Sequence, residues 1–172
     1  MKGLLIYRIA SFIIVIVAAF LGFASLFALL MALGNPALLL SVFVIVAVVI
    51  YSFTSFIFLI KGIDGRNQLQ PKLKDWIKVN AYVAIVFVFM NIFQSITIIS
   101  NPVILNEALK QISAVQKTAA PVSMDVMIKI VKAVIWFLLV YAIILGMHIS
   151  ATFRLLKQYA HLFETQNRND QF

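Results

Sequence analysis

The sequence predicts an all-α integral membrane protein: four transmembrane helices in an antiparallel bundle, with an amphipathic interfacial helix between the third and the fourth. Three observations predict it. The first is composition, since 63% of the 172 residues are hydrophobic and 12% are charged, whereas soluble domains sit near half apolar and a quarter charged. The second is the spacing of charge: Asp, Glu, Lys and Arg are absent from residues 9–60, 79–106 and 133–153. A spanning helix needs about 20 apolar residues, so the first run holds two spans and each of the others one. The third is the placement of basic residues. One side of the spans carries Lys2, Arg8, Lys61, Arg66, Lys72, Lys74, Lys78, Arg154, Lys157 and Arg168, and the other only Lys110, Lys117, Lys129 and Lys132. An excess of Lys and Arg in short segments marks the cytoplasmic side, which puts both termini in the cytoplasm, with the chain in a cell (inner) membrane.

The first run divides at Gly34, Asn35 and Pro36. Gly ends helices, Asn caps them, and Pro is tolerated at a first helical position because its missing N–H would be unpaired there anyway. Span one is therefore residues 7–33 and span two residues 36–60, joined as a tight hairpin. The apolar stretch of span one is much longer than a secretory h-region of about 7–15 residues, so it reads as a retained span.

Residues 61–76 form a basic cytoplasmic loop in which Gly62 and Gly65 end span two. After Pro71, Leu73, Trp76 and Ile77 share a helical face flanked by Lys72, Lys74, Asp75 and Lys78. This suits a short helix in the headgroup layer, with Trp76 as anchor and Lys61, Arg66, Lys72, Lys74 and Lys78 facing anionic lipid. Span three follows at residues 77–100. Asn101 and Pro102 then open an outer amphipathic helix, residues 102–117, in which Leu105, Leu109, Ile112 and Val115 or Gln116 recur at three- and four-residue steps. Ser123 and Asp125 start span four, residues 126–153, and a cytoplasmic tail occupies residues 154–172. GNPALLL at 34–40 echoes SNPVILN at 100–106, but both NP pairs have a local capping explanation.

Two polar or small-residue features stand out in the spans. Asn80, Asn91, Gln94 and Ser95 fall along one stripe of span three. Carboxamides facing lipid would be unpaired, so the stripe should face other helices, as interhelical glue or as a hydrated lining. The second feature is a packing seam. Ser11, Ala18, Ser25 and Ala32 recur every seven residues, with Gly22 four after Ala18, and Ala142, Gly146 and Ser150 repeat the device at four-residue steps in span four. Small residues let helix backbones approach closely.

Absent residues discriminate among functions. There is no Cys, which removes disulfides, thiolate catalysis and Cys-ligated metal clusters. No span carries an ionisable acid or base near its centre, as pumps and proton-coupled carriers require. His148 and His161 stand about 20 Å apart along one helix, too far to hold one haem within a single chain, which leaves only a haem shared between protomers. No GxSxG elbow or HExxH pair occurs. The net charge of +8 follows from the cytoplasmic excess of Lys and Arg and is not a nucleic-acid footprint. The expectation is a non-enzymatic accessory or oligomerising subunit without cofactor or metal. Its partners would be the bilayer, a second copy or another membrane protein. The alternatives are a small transporter or channel using the polar face of span three, and a lipid-binding or sensing protein using the basic loop.

Overall fold

A computed structural model describes residues 2–101, 103–105, 107 and 123–164. Regular structure among these residues is helical throughout, and four helices are long and apolar enough to cross a membrane. Helix α1 (Lys2–Gly34) leads through the single non-helical residue Asn35 and a 3-10 turn (Pro36–Leu38) into α2 (Leu39–Ile57). The Gly-Asn-Pro break thus falls where local chemistry puts it. The first α-helical hydrogen bonds of α2 form only after the 3-10 turn, in which the Leu38 N–H donates to the Asn35 carbonyl at 3.0 Å.

The end of α2 corrects one expectation. Gly62 does not end the helix, because the chain continues as π-helical turns over Phe58–Asp64 and stops only at Gly65, whose N–H donates to the Ile60 carbonyl. The basic loop is correspondingly shorter than residues 61–76. Arg66 then adopts a left-handed φ of 51°, and α3 (Pro71–Ser100) starts with Pro71 in its first turn. The expected headgroup helix and span three are one continuous helix. Helix α4 (Met124–Gln158) begins immediately after Ser123, whose carbonyl accepts the Met127 N–H, and a 3-10 turn (Ala160–Phe163) follows it. Most of the expected outer helix lies outside the described residues, as do Lys110, Lys117 and Arg168; residues 103–105 and 107 are helical.

The chain divides into two compact units, one of residues 1–87 and 144–172 and the other of residues 88–143. In the first, α1 and α2 lie side by side in opposite directions: Arg8 pairs with Asp64, the rings of Phe12 and Phe56 meet edge to face at 5.1 Å, and the open side of Gly22 lies against Val49. Ser11, Ala18, Ser25 and Ala32 are all buried. The other face of α1 is turned out, with Phe20 74% and Leu33 75% exposed. Apolar exposure on that scale is compatible with a hydrocarbon surround.

Short contacts fasten one end of this unit. The Leu69 N–H donates to the Leu162 carbonyl at 2.7 Å, Phe163 packs on Phe58 at 5.6 Å, and Lys74 Nζ stands 5.9 Å above the Phe163 ring. Gly62 permits this close approach, since a Cβ on it would lie 2.7 Å from Leu69 Cδ1 and 3.2 Å from Phe58 Cδ2 and these side chains would have to shift. In the second unit, Ile98, Ile99 and Leu105 line a cavity of about 230 Å³ with Lys132, Ile135 and Trp136.

Candidate functional site

The most concentrated polar chemistry lies in the first unit, where Tyr7 and Ser11 of α1, Tyr51 of α2 and His148 and Thr152 of α4 meet. Each is at most 3% exposed. Helical periodicity builds the site: residues four apart lie one above the other on one helix face, so Tyr7 with Ser11 and His148 with Thr152 form two stacked pairs. Tyr51 approaches both members of the second pair. The Tyr7 ring stacks on the imidazole with centroids 4.5 Å apart, and the Tyr51 ring meets it edge to face at 5.8 Å.

Hydrogen bonds tie the cluster together. Ser11 Oγ lies 2.8 Å from the Tyr7 carbonyl, to which it can donate, and 2.8 Å from His148 Nε2. On the other side of the ring, Nδ1 shares a 2.8 Å bond with the Tyr51 hydroxyl. Thr152 Oγ1 lies 2.8 Å from the His148 carbonyl, 3.2 Å from the Tyr7 hydroxyl and 2.9 Å from the Tyr51 hydroxyl. Three helices are therefore joined through one imidazole. Bonds of this kind are worth on average about 0.6 kcal/mol each inside a membrane, but orphaning a buried partner costs about 1–3 kcal/mol.

Beside the cluster, a groove runs between the first turns of α1 and the last turns of α4. Its inner compartment, about 320 Å³, is lined by Ile6, Ile9, Ala10, Ile13, Ile144 and Met147, with Tyr7 and His148 in its wall. Its outer compartment, about 700 Å³, is bordered by Leu4, Ser150, Arg154, Leu155, Gln158 and Tyr159. Gly3, Tyr7, Met147 and Ala151 border both.

The residues singled out in the sequence are distributed differently. Asn80 is buried and its Nδ2 donates to the Trp76 carbonyl of its own helix at 2.8 Å. Ser95 is buried and donates to Asn91 Oδ1 at 3.4 Å, Asn91 is half-buried, and Gln94 is exposed. In the small-residue seam, Ser11 belongs to the His148 cluster and Ala142 is buried, while Gly146 is half-buried and accepts through its carbonyl from the exposed Ser150 hydroxyl. In the basic segment, Lys61, Arg66, Lys72 and Trp76 are exposed and Lys74 and Lys78 are half-buried.

His148 is the functional candidate that pattern reading underweights. An isolated His near a span end reads as an interfacial group, yet here the side chain is 2% exposed. The available signal was the pair of four-residue polar steps, Tyr7 to Ser11 and His148 to Thr152, in otherwise apolar helices. Among the described residues no three His, Asp or Glu side chains gather as a metal site. No protein-family model, curated protein or solved structure matches the chain.

Proposed function

We propose that the chain is a multi-pass membrane protein that works by association, as an accessory or self-assembling subunit, and not by catalysis or conduction. Its four long apolar helices would cross the bilayer as an antiparallel bundle with both termini on the cytoplasmic side, where the surplus of Lys and Arg lies.

One observation carries this reading: the buried Ser, Thr, Asn and His side chains of the described helices are all hydrogen-bonded within the protein. Asn80, Ser52, Thr54, Thr97 and Ser150 bond to carbonyls of their own helices, and the His148 cluster bonds across three. A conducting pathway needs polar groups presented to water or to a solute, whereas these groups have their hydrogen bonds taken up inside the protein.

The test is the native mass and the copurifying proteins of the chain extracted in mild detergent from its own membrane. Association predicts a defined assembly larger than one chain. A lone monomer together with a flux abolished by Asn91→Leu in a folded variant overturns the proposal in favour of transport.

A further inference from the structure

We infer that the groove between the first turns of α1 and the last turns of α4 holds one anionic phospholipid, with an acyl chain against Ile6, Ile9, Ile13 and Met147 and the phosphate at Arg154. This goes beyond the association reading and rests only on its placement of the helices in a bilayer.

The groove is graded in the way a phospholipid is. Among the described residues, none that is charged lines the inner compartment. The outer compartment is bordered, among the described residues, by one charge, Arg154, and by no Asp or Glu, and Gln158 and Tyr159 beside it can donate to phosphate oxygens. Arg154 is exposed and makes no ion pair among the described residues, whereas Arg8 of α1 is paired with Asp64. Its charge is available to a ligand.

Dimensions agree with the chemistry. At 1.5 Å per residue, the stretch from Ile144 to Arg154 is about 15 Å long, half of a hydrocarbon core about 30 Å thick. With Arg154 at the headgroups, the inner compartment reaches the bilayer midplane, the depth of one acyl chain. A second copy of the chain fits less well. A helix with side chains is about 10–12 Å across, broad for a compartment of about 320 Å³, and a partner carrying the same net charge of +8 brings like charge towards Arg154.

The experiment is native mass spectrometry of the full chain in mild detergent, titrated separately with dioleoyl phosphatidylglycerol and dioleoyl phosphatidylcholine. The wild type should retain one phosphatidylglycerol, in preference to phosphatidylcholine by about fivefold, the ratio expected of one basic group near a charged headgroup. Arg154→Gln, a surface change that leaves folding intact, should remove the preference; Ala151→Phe, which fills the groove wall, should reduce retention of both lipids. Lys72→Gln, in the basic segment, should change neither. The inference is overturned if Arg154→Gln keeps the wild-type preference, or if Lys72→Gln abolishes it. It is overturned equally if Met147→Cys, in a chain otherwise without cysteine, oxidises in native membranes to a disulfide dimer, which would put a second copy in the groove. Retention of the wild type in the membrane pellet after alkaline carbonate extraction separates failure of this site from failure of the membrane placement.

Discussion

Ser11 and Ser95 are both buried serines with a polar neighbour four residues earlier, yet they serve different ends. Ser11 bonds both to the Tyr7 carbonyl of its own helix and to His148, 137 residues away. Ser95 bonds to Asn91 within its own helix at 3.4 Å. The same contrast separates the His148 cluster from the polar stripe of α3 as a whole. A bond to the same helix hides a polar group from lipid without specifying a neighbour. A bond across helices does both, because its partner is supplied only by the correct packing. Polar residues in apolar helices are therefore informative through their partners, not their number.

Removing the imidazole should break the comparison most sharply. His148→Leu leaves the Ser11 and Tyr51 hydroxyls without their ring partner in a buried site, and should cost about 3 kcal/mol or more, read as a lowered unfolding midpoint in detergent. Gly62→Leu comes next, because the side chain must displace Leu69 and Phe58 from the contact that closes one end of the same unit; overpacking of this kind costs about 1–3 kcal/mol. The same unfolding assay, together with increased proteolysis at residues 66–70, checks it.

Smaller effects sharpen the contrast. Arg66→Gly should stabilise by about 1 kcal/mol, since a left-handed φ of 51° costs an ordinary side chain about that much and glycine little. Ser95→Ala should change stability by less than about 0.5 kcal/mol, because the 3.4 Å bond it removes is long and local. A loss from Ser95→Ala as large as that from His148→Leu would erase the distinction between the two regions.

The elements were far more legible in sequence than the cluster. Charge-free runs locate all four helices, and Gly34, Asn35 and Pro36 mark the first break because glycine and proline act through local backbone chemistry. The same reasoning misreads Gly62. Its role is close approach to Leu69 and Phe58, not termination, and nothing in neighbouring residues reports that Leu162 returns to this point. The heptad of small residues on α1 announced a packing face without naming what packs on it. The His148 cluster needed contacts across 97 and 137 residues, which no helical periodicity contains, although its two four-residue steps were visible.

Cysteine accessibility distinguishes a protein locked by the polar groups of its helices from one in which those groups line a water path. A chain without native cysteine gives clean single-cysteine variants at Asn91, Ser95 and Ser11, with Asn67 and Asn101 as exposed controls, each treated in native membranes with a membrane-impermeant thiol reagent from either side. If the groups lock the protein, positions 67 and 101 are labelled, from opposite sides, and 91, 95 and 11 are not. Rapid labelling at 91 and 95, blocked by a solute or matched by a flux, would contradict the lock and make α3 a pathway.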